Sequence, residues 1–519
     1  MYQSTPLSPR EKIIVIGAIA TLLSGLAWVS YDLGSLTIPH NDSWAHSRIA
    51  ESLAENHVIQ LVGFNRSSLI GMIILAAIFG GTPLAGSFVS LICAFASLYW
   101  VYMMTRRYAS RFWSTIAVSL LACYPGFFLL STSFMSDIPM LAGILGCLYF
   151  ALKYLDNPTY LYLLASLFIG FWGITVREQA VAAVAAVVVV LVTTPVTRKQ
   201  GIWYALISLA FIVSFEFWRR SLALDDPPQV DIGVGYGIKS GLMFIILLAC
   251  FMSPLIAANL IHKKYSFKVY ALMAVLSMPF IFLLLRMQEG VLLGNYIATH
   301  GAYAGDILGN RPGVPALSLL FFATCGALCA GPLLILMFEN LGKKFRLLIL
   351  FSCFYIAGTI VQSVSGQGIF DRYMIPVVAC LVPVLASNLG SGLKFSKLIS
   401  VIFIAGTFSI SSLIFLEASA SDGSVWKTAD KFVAQGYNPK EIDAGWNWVG
   451  LHSDQAVGSR VPPENALGSF QHFSDSRQCL VLGFEGANLP EHVATYKTFG
   501  YFGPERNIFE AYSKVLPAA

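Results

Sequence analysis

Residues 68–81 read SLIGMIILAAIFGG, fourteen positions without a charge. A helix needs roughly 20 apolar residues to cross the hydrocarbon core of a bilayer, so this run is short for a crossing and suits a re-entrant or interfacial helix. The parity of the whole chain turns on that reading. Counted as a crossing, the run would carry Arg106 and Arg107 to the side opposite Arg10 and Lys12. Counted as re-entrant, it leaves all four on one side, as the inward bias of basic loops requires.

The rest of the chain sets the frame. Its 519 residues are 56% hydrophobic and only 12% charged, whereas soluble domains carry about a quarter charged residues. Apolar runs near 13–30, 86–105, 112–131, 137–153, 159–176, 180–196, 202–218, 241–261, 270–286, 315–338, 347–365, 374–390 and 398–416 make about thirteen candidate spans. The first shows no cleavage site and reads as an anchor. With the N-terminus cytoplasmic, short inner loops hold Lys12, Arg111, Lys153, Arg198, Lys263 and Arg346, and only Glu11, Asp156 and Glu339 among acids. The other loops collect Asp42, Asp137, Glu178, Glu216, Asp371 and further acids. Eight of the nine cysteines lie in or beside apolar runs, with none in the close pairs of a zinc site.

After residue 416 the texture turns polar, with turn clusters such as SRVPPEN and YFGPERN and strand-like runs QCLVLGF and ATYKTFGYF. The expected organisation is a mainly α, polytopic transmembrane bundle over 1–416 and a small C-terminal α/β extracytoplasmic domain over 417–519. The tail aromatics Trp446, Trp448, Tyr496 and Phe499 are expected mostly to pack that domain.

Candidate chemistry sits at the outer ends of spans. Asp42 opens TIPHNDSWAHSRIAESLAENH (37–57), where Ala45, Ile49 and Leu53 recur at helical spacing. An acid there serves equally as a helix N-cap or as a reactive carboxylate. His46 falls one turn later. Asp137, in SFMSDIPML, sits at a hairpin where turn chemistry alone explains an acid. Arg66, Arg177 and Arg372 lie on the side where basic residues are disfavoured and so need a reason. Arginine pairs bidentately with phosphate, and a carboxylate beside it suits proton removal from a hydroxyl. Phosphate and hydroxyl meeting at a membrane surface describe transfer from a lipid phosphate.

The order of these motifs resembles the GT-C glycosyltransferases: a first span, an acid-bearing outer loop, a basic residue opening a re-entrant helix, RRY ending the next span, then SFMSDIPML, GITVRE and DRYMIP. It is most similar to the family-39 type, which includes protein O-mannosyltransferases and the lipid A aminoarabinose transferase. The resemblance implies a polyprenyl-phosphate-linked sugar donor and inversion at the anomeric carbon. It implies that Asp42 matches the first-loop catalytic aspartate and Asp137 the second-loop acid. Arg66 stands where relatives carry a lysine, and Asp42-Ser43 where they carry an Asp-Glu pair.

The expected function is therefore an integral-membrane glycosyltransferase of a bacterial inner membrane, with a periplasmic C-terminal domain. Asp42 is the general base, and Asp137, the second catalytic candidate, orients the acceptor or helps bind a divalent cation. Arg66, Arg177, Arg372 and Tyr373 hold the donor phosphate, and His46, Glu178 and Asp371 are candidate substrate contacts. The acceptor is a lipid, glycan or protein, membrane lipids surround the chain, and no nucleic acid is involved. Two or three carboxylates suffice to hold a divalent cation with water, but no dense ligand motif compels one. The tail is expected to cap the cavity and select the acceptor without joining the chemical step. A transporter or flippase of a lipid-linked sugar is the alternative, disfavoured because the spans lack Lys and Arg and no repeat is seen. A degenerate assembly subunit is disfavoured by the retained acids and arginines.

Overall fold

A computed structural model describes residues 8–62, 69–222, 232–286, 293–298, 302, 314–342, 344–366, 368–389, 394–453, 480–484, 492–498, 501 and 506–512. The chain begins with α1 (Pro9–Asp32), whose N-cap Ser8 hydroxyl accepts from Glu11 N–H at 3.2 Å. There follow α2 (Ser43–Asn56), the short α3 (Ile70–Ile78), α4 (Pro83–Arg106), α5 (Arg111–Ala122), α6 (Phe127–Ser131) and α7 (Asp137–Asp156). The middle of the chain forms α8 (Tyr160–Val176), α9 (Val181–Thr193), α10 (Arg198–Ser221), α11 (Val234–Lys263), α12 (Phe267–Arg286) and α13 (Ala316–Leu341). The remainder supplies α14 (Arg346–Val364), α15 (Ile375–Ala386), α16 (Lys394–Ala434) and α17 (Trp446–His452).

A helix underlies each of the thirteen apolar runs. Among the described residues nine helices are long and apolar enough to cross a membrane, and α5, α8 and α9 are shorter apolar helices. The protein is an integral-membrane helical bundle. Every residue of α15 is buried, and α7 and α11 are buried along most of their length, so these three form the centre. In contrast α10 and α12 each bury only three residues and turn Trp203, Phe217, Phe282 and Leu285 outward. Such broad apolar exposure is stable against lipid tails and not against water.

Two expectations are revised. The run 112–131 is two helices, because Pro125 and Gly126, at φ +90°, break it between α5 and α6. The domain border at 416 falls inside α16, which continues unbroken to Ala434. The tail beyond it forms a four-stranded sheet of β1 (Ile442–Asp443), β2 (Leu480–Phe484), β3 (His492–Thr498) and β4 (Arg506–Tyr512), in the order β1-β2-β4-β3. Strands β1 and β2 are parallel and the other pairings antiparallel. Two of the strands lie on the runs expected to form them. The nine-residue α3 agrees with the re-entrant reading of 68–81: at about 1.5 Å per residue it is far too short to cross.

The two ends of the bundle differ in chemistry. At one end, each of the three acids expected there is neutralised by a base expected beside it. Glu11 accepts from Arg106 Nε at 2.8 Å, Arg111 Nε at 2.7 Å and the Tyr102 hydroxyl at 2.9 Å. Asp156 pairs with Arg107, and Glu339 with Lys263 at 2.6 Å. The opposite end carries α2, the sheet and the candidate site.

Candidate active site

The loop ahead of α2 is fixed from both sides. His40 is buried; its Nε2–H donates to the Ser35 carbonyl at 2.8 Å, and its Nδ1 lies 3.0 Å from Asp422 Oδ2 on α16. Asn41 takes a left-handed turn at φ 49°, a conformation asparagine tolerates, and delivers the chain to Asp42. Asp42 occupies the N-cap position of α2 but its side chain makes no capping bond. The half-buried carboxylate instead accepts from Trp446 Nε1–H of α17 at 3.1 Å. The N-cap reading of Asp42 is thus corrected in its hydrogen bonding, because Asp42 has helical φ −72°, ψ −5° and not the extended backbone of a capping residue. The expected amphipathic strip holds: Ala45 and Ile49 are buried and Leu53 half-buried. His46 is buried on the same helix, with Nδ1–H donating to the Phe134 carbonyl at 2.7 Å and its ring edge-on to Phe134. This ties the Asp42 helix to the SFMSD loop.

Three residues after Phe134, Asp137 starts α7 and is 3% exposed. Its Oδ1 accepts from Arg177 Nη1 at 2.8 Å and lies 3.6 Å from Arg372 Nε. Arg177 reaches it because α8 ends there: Arg177 leaves the helix at φ −160°, ψ 134° and lies over the Tyr373 ring at 4.5 Å. Arg372 comes from a 3-10 turn, Asp371–Met374, directly ahead of α15; it flanks the Phe370 and Tyr373 rings and donates to Asn295 Oδ1 at 3.3 Å. Two guanidinium groups, two aromatic faces and one buried carboxylate therefore converge. Opposite charges and cation–π contact make this desolvation tolerable. Asp137 Oδ2 is buried without a hydrogen-bond partner among the described residues. The charged neighbours of Asp137 are both cationic, and among the described residues no three His, Cys, Asp or Glu gather as ligands.

Asp371 does a different job. Wholly buried, its Oδ2 accepts from the backbone N–H of Tyr296 at 2.8 Å and of Ile297 at 2.7 Å, while its own carbonyl accepts from the Tyr124 hydroxyl at 2.6 Å. It staples the 293–298 segment beside Arg372 and so brings Asn295 to the cluster. Burial raises its carboxyl from the usual range to about 6, against the lowering pull of the two N–H bonds and Arg372.

Glu178 leaves the cluster: it pairs with Arg219 of α10, which also holds Glu216 at 2.9 Å. Arg66 lies outside the described residues, as do the side chains of Tyr496 and Phe499. Trp448 is buried as expected, edge-on to Trp426 at 4.8 Å. Trp446 reaches out of the tail, its indole N–H donating to Asp42. Asn295, His40 and Asp422 were not singled out from sequence; each acts through a partner far along the chain and has no local signature. The two tryptophans of GWNWVG, one residue apart, were the one visible signal for Trp446.

Residues 71–218 match the profile of the dolichyl-phosphate-mannose-protein mannosyltransferase family. No curated protein matches. Among solved structures, the chain is similar to ArnT from Cupriavidus metallidurans bound to undecaprenyl phosphate, at 11% identity, TM-score 0.49, covering 99% of this chain and 100% of that one. The profile takes in Asp137 and Arg177 and ends before Arg372, so over residues 71–218 this chain is similar to the dolichyl-phosphate-mannose-protein mannosyltransferases, as its order of motifs implied.

Proposed function

We propose that the protein is an inverting glycosyltransferase that moves a sugar from a polyprenyl phosphate to a hydroxyl on a lipid, glycan or protein acceptor. The observation that carries this reading is the His46–Phe134 bond, which joins the helix opened by Asp42 to the loop that leads into Asp137, where the half-buried Arg177 and the buried Arg372 meet one carboxylate. The family profile over part of that cluster supports it. Asp42 takes the proton of the acceptor hydroxyl as its oxygen attacks the anomeric carbon. The bond from that carbon to the phosphate oxygen breaks, and the departing phosphate keeps the electron pair. Its charge is received by Arg177 and Arg372, with Arg66 as a third candidate. A guanidinium has five N–H donors, so the Asp137 bond orients Arg177 and leaves its fork suited to phosphate. Asp137 is thereby a positioning acid. Preorganised donors of this kind are worth about 2.7–4 kcal/mol each in the transition state.

We place the N-terminus in the cytoplasm of a bacterial cell and the Asp42 end outside the inner membrane. Support comes from the basic residues gathered at the far end of the bundle, Arg106, Arg107, Arg111, Lys263 and Arg346 among them. The test is Asp42→Asn, which keeps size and polarity but cannot take a proton. Mass spectrometry of lipid-linked and finished glycans, in cells carrying wild type or variant at equal membrane level, should show product lost and donor accumulated. Product at the wild-type level would remove Asp42 as base.

A further inference from the structure

The tail does more than cover the site. We propose that Trp446 is a positioning residue for Asp42, its indole N–H holding one carboxylate oxygen so that the other is presented to the acceptor hydroxyl. The inference rests on Asp42 being the base. An aspartate at an N-cap position ordinarily folds back onto the N–H groups of the first turn. Here that bond is absent, and the oxygen lies 3.1 Å from Trp446 Nε1. Asp42 sits at helical φ −72°, ψ −5° and not in the extended conformation of a capping residue, so its carboxylate makes no bond to the first turn and the indole N–H is the donor that fixes one of its oxygens.

The indole suits this task because it is itself held. Its ring meets Trp44 edge-on, 6.0 Å between centroids. Asn447 Nδ2 donates to the Pro39 carbonyl at 2.7 Å, and Arg48 Nη1 donates to the carbonyls of Gly450 and Ser453 at 3.1 and 2.9 Å. Helix α17 approaches so closely that a Cβ on Gly450 would stand 2.3 Å from the Trp44 ring. The far side of the same loop is pinned by His40 on Asp422, and Ser43 Oγ accepts from His40 N–H at 2.6 Å. Donor and carboxylate are therefore borne by two elements that cannot drift apart. A catalytic group held to a fraction of an ångström reacts far faster than one free to rotate.

The test uses the full chain in membranes, with the lipid-linked sugar fraction extracted from cells lacking the protein as donor. Trp446→Phe keeps a ring against Trp44 and removes the N–H. It should lower kcat roughly tenfold, about 1.4 kcal/mol, with KM for the donor fraction and binding of undecaprenyl phosphate within about twofold. Trp446→Gln and Trp446→Leu separate orientation from packing, because only Gln supplies an N–H and only Leu supplies apolar bulk. Gln should exceed Leu in kcat per folded enzyme while Leu exceeds Gln in unfolding midpoint. The same rank order in both measurements, or wild-type kcat in Trp446→Phe, overturns the proposal. If those results come while Asp42→Asn is inactive, the inference fails and the proposed function stands. If Asp42→Asn is itself active, both fall.

Discussion

Replacing Arg177 by Met tests whether the buried cluster is there for phosphate or for the fold. Among the described residues Asp137 keeps only the ion pair to Arg372, at 3.6 Å and beyond hydrogen-bond reach, once the 2.8 Å contact to Arg177 is gone. Removing one partner of a buried ion pair costs about 3–5 kcal/mol, chiefly because the other charge is stranded. The Tyr373 face, 4.5 Å from the guanidinium carbon, adds about 0.5–2 kcal/mol, part of which Met retains through apolar contact. Arg177→Met should therefore unfold at a clearly lower denaturant concentration. Adding Asp137→Asn removes that carboxylate but also takes from the buried Arg372 its acid at 3.6 Å, so only part of the loss should return. Binding should not return with stability. A charge-assisted hydrogen bond is worth about 1.5–3 kcal/mol, so the double variant should bind undecaprenyl phosphate about ten- to a hundredfold more weakly than wild type. Purified protein in lipid nanodiscs serves both measurements. A double variant as unstable as Arg177→Met would refute the stranded-charge account. A double variant that binds the lipid phosphate normally would make Arg177 structural.

Asp371 should give a pH signature. Its native carboxyl titrates at about 6, above its unfolded value. The folded state therefore binds the proton more tightly, and stability falls as pH rises between about 4 and 6, then levels off. The loss is on the order of 3 kcal/mol. Asp371→Asn should flatten that interval in denaturant midpoints measured across pH, and an unchanged slope would clear Asp371 of the effect. Orientation is checked with an impermeant thiol reagent on intact cells, in a variant without native cysteines. A cysteine at position 440 should label and one at 397 should not, and the reverse pattern would put the site in the cytoplasm.

The membrane-spanning plan was legible because lipid selects side chains along whole helices, whatever their neighbours. That is why the thirteen runs fall on helices, why the charge-free stretch 68–81 is too short to cross, and why Glu11, Asp156 and Glu339 sit among bases. Local turn chemistry was also readable in principle: Pro125-Gly126 breaks the run 112–131 as such a pair should. Residue type in an unfavourable place marked Arg177 and Arg372, since a buried or outward arginine must be explained by a partner. Which partner it meets is a different kind of fact. Sequence put Glu178 beside Arg177, yet successive backbone directions send one to Asp137 and the other to Arg219. Asp371 looked like a substrate contact and is a staple for backbone N–H groups 74 and 75 positions away. Asp42 and Trp446 are 404 positions apart. A hydrogen bond formed across such a distance leaves no periodicity, spacing or composition in either segment, because its geometry exists only once the bundle has closed and carried α17 onto α2.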